Sequence, residues 1–84
     1  MYQAVYSETA LRQILGLRPA GKRERILREI ERLADNPFTR GNFEMKDETG
    51  RKNQVLIVEG WAITYWGDGA VKELRVVDIR KLVR

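Results

Sequence analysis

The segment Ala20 to Asp35 constrains the fold more than any other stretch of this chain. Ile26, Leu27, Ile30, Leu33 and Ala34 recur at helical spacing and form one apolar stripe, while Arg25, Arg28 and Arg32 project from the other side. Asn36-Pro37 ends the helix, because proline cannot continue it. A helix that is apolar on one side only has to bury that side against a second layer. The rest of the sequence supplies one. YQAVY, Tyr2 to Tyr6, reads as a short strand, and Ser7 as the N-cap of a brief helix carrying Ala10, Leu11, Ile14 and Leu15. GLRPAG then breaks the chain before the long helix, which makes the two helices an antiparallel hairpin.

Everything after Asn36-Pro37 reads as β. NFEMKDE is a weak strand, Thr49-Gly50 a turn, and RKNQVLIVE a central strand apolar on both faces in its middle. Gly60 permits a tight turn into WAITYW, and Gly67-Asp68-Gly69 is expected to supply the positive φ angles of a hairpin leading into AVKELRVVDI. The order β-α-α-β-β-β-β predicts an α+β fold: an N-terminal strand and an antiparallel helical hairpin packed on a twisted antiparallel sheet, in one domain spanning 1–84.

The chain has 84 residues with no cysteine and no histidine. Disulfides, thiolate or imidazole metal sites, and Ser-His or Cys-His catalysis are therefore excluded. No metal or cofactor is expected. Glu44, Asp47 and Glu48 lack the ligand spacing of a calcium loop and read as charges on a solvated edge strand. Gly67-Asp68-Gly69 leads into no helix, so it is a turn and not a phosphate loop. No apolar run approaches membrane-spanning length, and MYQAVYSETA has no signal-peptide pattern, so the expectation is a soluble cytoplasmic protein without membrane contact.

Sixteen Lys and Arg against twelve Asp and Glu give a net charge of +4, which suits an anionic partner and equally suits ordinary solubility. The Arg25, Arg28, Arg32 row alternates with Glu24, Glu29 and Glu31 and reads chiefly as a solvated helix face. A second group gathers Lys46, Arg51 and Lys52 near the first β-turn with Arg75, Arg80, Lys81 and Arg84 at the end of the chain. Arg75 alternates with Leu74 and Val76, so it is expected on the sheet face away from the helices, together with Val77 and Ile79. There it either presents its planar fork to a phosphate or forms a cross-strand pair with a carboxylate such as Glu59 or Asp47. Trp61 and Trp66 are an odd number of residues apart, so a regular strand places them on opposite faces, with at most one under the helices.

Three stretches in order, VYSETALRQI, RILREIERLADNPF and ELRVVDIR, make the chain resemble the RelE/ParE superfamily of toxin-antitoxin toxins over nearly its whole length. The resemblance implies a small basic toxin neutralised by a cognate antitoxin encoded beside it. In the RelE-like branch such a protein cleaves mRNA in the ribosomal A site without a metal or cofactor. In the ParE-like branch it poisons DNA gyrase by binding. A degenerate relative would keep antitoxin binding alone. Carried onto this sequence, the nuclease pattern matches its tyrosine to Tyr65 and its last-strand arginine to Arg80. With Arg75 from the basic group above these are the expected catalytic residues, and Lys46, Arg51, Lys52 and Lys81 of that group are the expected nucleic-acid contacts. The sequence departs from that pattern in places. An arginine expected before the tyrosine falls at Ala62, no basic residue lies between Asn53 and Lys72, and no tyrosine follows Arg80.

Overall fold

The computed structural model describes residues 1–82; Arg84, among the candidate cations above, lies outside the described residues. In chain order the elements are β1 (Gln3–Tyr6), α1 (Glu8–Leu15), α2 (Ala20–Asp35), β2 (Phe43–Lys46), β3 (Lys52–Val58), β4 (Trp61–Asp68) and β5 (Glu73–Lys81). They form a two-layer α+β structure, with both helices on one face of a five-stranded sheet ordered β1-β5-β4-β3-β2. β2 through β5 pair antiparallel, as hairpin connections require, whereas β1 pairs parallel with β5. The sheet is therefore mixed and not wholly antiparallel. No hairpin joins β1 to its neighbour, and residue alternation along a strand carries no information about pairing direction.

Ser7 links the two layers. Its hydroxyl oxygen accepts the Ala10 N–H (3.0 Å), capping α1, while the hydroxyl donates to the Val77 carbonyl of β5 (2.8 Å). The core lies between the helices and one face of the sheet. Ala10, Ile14 and Leu17 join Ile26, Ile30, Leu33 and Ala34 from the helical side against Ile63, Tyr65, Leu74, Val76 and Ile79 of β4 and β5. Each large aliphatic member contributes roughly 1.5–3 kcal/mol by leaving water. Of the four apolar residues of the first helix, Ala10 and Ile14 are buried while Leu11 and Leu15 are exposed.

The β3–β4 turn has positive φ at Glu59 (48°) and Gly60 (84°), the left-handed pair a tight hairpin requires. The β4–β5 connection differs from the expectation. Strand β4 runs through Gly67 to Asp68, and the positive φ falls on Lys72 (55°), not on Gly67 or Gly69. Gly67 is small for another reason: a Cβ there would lie 3.0 Å from the Phe38 ring and 3.1 Å from the Pro37 carbonyl oxygen. No helix among the described residues is long and apolar enough to cross a membrane.

Candidate functional site

The sheet face turned away from the helices is built by register. Phe43 and Met45 of β2 stand opposite Val55 and Asn53 of β3, and Val55 stands opposite Thr64 of β4. Along β5, Arg75 faces Trp66, Asp78 faces Thr64 and Arg80 faces Ala62. Arg75 and Arg80 are five residues apart and would point to opposite faces of a regular strand. They share one face because Thr64 pairs with Asp78 while the next residue, Tyr65, pairs with Val76, leaving Val77 as an extra residue in β5. The same bulge returns Ile79 to the core beside Leu74 and Val76, so Ile79 does not accompany Arg75 on the open face as strict alternation implied.

Two features occupy this face. At one end a shallow groove of about 380 Å³ is lined by Phe43, Met45, Val55, Ala62, Arg80 and Leu82. Phe43 and Met45 are about half exposed, so the rim is apolar and wet. At the other end the Arg51 guanidinium carbon sits 3.9 Å from the centroid of the Trp66 ring, and that of Arg75 sits 5.9 Å from it. Four residues of β4 separate the positions opposite Arg75 and Arg80, a distance of roughly 13 Å along the strand.

Carboxylates interleave with these arginines. Arg75 Nη2 lies 2.7 Å from Glu73 Oε1 and its Nε 3.8 Å from Asp68, while Arg80 Nε lies 3.3 Å from Asp78. Asp78 is itself oriented by Gln13, whose side-chain amide donates to it (3.0 Å) while its oxygen accepts the Ile79 N–H (2.6 Å). Gln13 thereby occupies the β5 edge beyond the end of β1. Of the alternative partners expected for Arg75, Glu59 pairs instead with Arg25, and Asp47 serves the β2–β3 turn. Two of the three guanidiniums on this face meet three carboxylates, which makes it much less cationic than the net charge suggested.

No protein-family profile matches the sequence, and no curated protein matches it. Solved structures do. The toxin-antitoxin complex RelBE2 of Mycobacterium tuberculosis is similar with a TM-score of 0.77 at 15% identity, covering 95% of this chain and 96% of that one. The intact RelBE toxin-antitoxin complex of E. coli matches with a TM-score of 0.69 at 15% identity over the whole of both chains. The isolated E. coli RelE toxin matches at 0.73, again with 15% identity, over all of this chain and 87% of that one. The chain has the RelE toxin fold.

Within this RelE fold the sequence-selected residues divide between the faces. Arg51, Arg75 and Arg80 share the open face. Lys46 and Lys52, which pair with each other, alternate with the groove residues and so fall on the opposite side of the sheet, as does Lys81 opposite Trp61. Tyr65 is separated from the arginines altogether. It is fully buried in the core, its hydroxyl donates to the Thr39 carbonyl (2.8 Å), and burial pushes its phenol above the ordinary value. A buried, hydrogen-bonded phenol of raised pKa does not reach substrate and does not give up its proton at neutral pH. Trp61 packs against the core while Trp66 lies on the open face, in line with their odd spacing.

Sequence reasoning missed the contact of Arg51 with Trp66, the tether through Gln13 and the groove formed by Phe43 and Met45. Strand alternation alone places Arg51, Asn53 and Val55 on one face, so part of this was available; the Val77 bulge was not.

Asp47 governs how Arg51 is delivered. Its Oδ1 accepts from the Thr49 hydroxyl (2.6 Å), the Thr49 N–H (2.9 Å) and the Arg51 N–H (3.0 Å). The Thr49 hydroxyl bond, supported by the two backbone donors and the Arg51 charge, holds the Asp47 carboxyl below its ordinary value. A carboxyl depressed in the folded state stabilises above its unfolded value and loses that contribution as pH falls through the folded one. Asp47→Ala is therefore expected to lower the melting temperature at neutral pH. The gap from wild type should close as pH falls through the acid range, as read by thermal melts from pH 7 to pH 2.

Proposed function

We propose that this chain is the toxin of a toxin-antitoxin pair and inhibits translation by cleaving mRNA on the ribosome. The RelE fold over at least 95% of the chain, with arginines brought to one open sheet face, is the observation that carries this reading. Cleavage by the RNA's own 2′-hydroxyl requires a group to take its proton while the 2′-oxygen attacks phosphorus and the 5′-oxygen leaves. It also requires a cation facing the phosphate as charge builds there. Arg80 and Asp78, adjacent at the groove, fit those two roles: the guanidinium faces the phosphate and the carboxylate accepts the proton. Tyr65 has neither role. A cognate antitoxin would cover the apolar groove beside them, shielding Phe43, Met45 and Leu82 together with Arg80.

Expression without the neighbouring antitoxin should arrest growth, and primer extension should show cuts confined to translated messages. Arg80→Ala should reduce cleavage by about 10²-fold or more, the effect of removing one well-placed transition-state donor. Arrest with intact messages would overturn the cleavage chemistry.

One observation favours a second reading. The apolar groove and the carboxylates beside Arg75 and Arg80 suit a protein partner as well as a phosphate chain. A toxin that acts by binding DNA gyrase would block supercoiling by purified gyrase with no ribosome present, and a nuclease would not.

A further inference from the structure

We infer that Trp66 and Arg51 form a stacking site for one unpaired RNA base, with Arg75 contacting the adjoining phosphate. The inference deepens the RNA-directed reading above and rests on it.

Trp66 has no structural duty comparable to that of Trp61. Trp61 packs on the core cluster beneath the helices, whereas Trp66 is not among the residues packed there and stands half-buried on the open face. What lies on its ring is a cation. Arg51 is exposed and, among the described residues, has no carboxylate within ion-pair distance. Its guanidinium is held by the electron-rich face of the indole and not by a direct ion pair, which leaves its outer plane free. Single-stranded RNA is bound by such surfaces, because every base has a flat face that stacks on an aromatic ring or a guanidinium plane.

Arg75, the β5 partner of Trp66, completes the site. Its side chain is partly exposed, and Nη2, although 2.7 Å from Glu73 Oε1, makes no hydrogen bond there, since that oxygen is left without a partner; the buried Nε is out of reach of any ligand. The ion pair is thus one of proximity and leaves donor capacity on the guanidinium. A phosphate oxygen brought alongside by a base stacked at Trp66 would use it. A protein partner would not need a flat stacking element, so the comparison between base-bearing and base-free backbone decides the matter.

The test uses the Trp61→Phe chain, in which Trp66 is the remaining tryptophan. A six-nucleotide single-stranded RNA should quench Trp66 emission on binding, and an abasic backbone of equal length should bind more weakly without quenching. Trp66→Leu in the otherwise wild-type chain should weaken base-bearing RNA by about tenfold or more, with Trp66→Phe retaining most of the affinity. Arg51→Ala, at an exposed position, guards against loss of folding and should weaken the same RNA. Equal binding of base-bearing RNA by wild type and Trp66→Leu would overturn the stacking site and leave the translation reading standing. If wild type bound neither RNA, the stacking site would fall together with direct RNA contact by this face.

Discussion

Gly41→Ala is expected to lower the melting temperature by more than about 5 °C and to loosen β2 from the sheet. Gly41 lies where the loop after α2 turns onto β3. A Cβ there would sit 2.6 Å from the Val55 carbonyl carbon and 3.0 Å from its nitrogen, and closer still to its oxygen. All three are backbone atoms of a paired strand, so no rotamer change relieves the overlap. Three bonds hold this corner: the Gly41 N–H to Gln54 Oε1 (2.8 Å), the Asn42 N–H to the Val55 carbonyl (2.7 Å), and the Ile57 N–H to Asn42 Oδ1 (2.8 Å). Moving the loop away strains or breaks them. Overpacking of this kind costs roughly 1–3 kcal/mol, and each kcal/mol shifts the midpoint by about 4–8 °C in a domain of this size. Because β2 carries Phe43 and Met45, the variant should also lose the groove rim, and under the proposed function binding of an antitoxin there should weaken more than the melting temperature alone would imply. A wild-type melting curve for Gly41→Ala would show that the loop can retreat from Val55 without strain.

The layers of the fold were legible because they follow from local pattern. The α2 stripe of Ile26, Ile30, Leu33 and Ala34 is buried as its spacing requires, Ser7 caps α1, and Trp61 and Trp66 separate by parity. What was illegible depends on pairing between distant segments. The parallel partnership of β1 with β5 joins residues about seventy positions apart, and nothing in either strand records its direction. The Val77 bulge is equally silent in the sequence, yet it alone puts Arg75 and Arg80 on a common face. Charge is partly legible. Glu73 and Asp78 stand two residues from Arg75 and Arg80 on the same strand, a spacing the sequence shows, whereas Asp68 reaches Arg75 only across the β4–β5 pair and the bulge alone brings both clusters to one face. Gly41 reads as one more loop glycine until Val55 is found against it.

Tyr65 gives the largest expected difference between two substitutions at one position, and it separates a structural role from a catalytic one. Tyr65→Ala empties a site that is fully buried among Ile63, Leu74 and Val76, and an aromatic deletion of that kind costs about 3–5 kcal/mol. The total stability of a chain this long is about 4–13 kcal/mol, so the variant should be largely unfolded or severely weakened at 37 °C. Tyr65→Phe removes only the bond to the Thr39 carbonyl, a change of about 1 kcal/mol, since Thr39 is exposed and water replaces the lost donor. That variant should fold and, if this chain is the proposed toxin, should arrest growth to the same extent as wild type. The alkaline limb gives an independent check. Burial raises the phenol, so above the ordinary value of 10.0 the unfolded chain releases a proton that the folded chain keeps, and wild type loses stability as pH rises. Phenylalanine has no proton to release, so Tyr65→Phe should gain on wild type in melts above pH 10. Loss of growth arrest by a Tyr65→Phe protein that melts like wild type would mean that the phenol acts on substrate, which its place beneath the helices forbids.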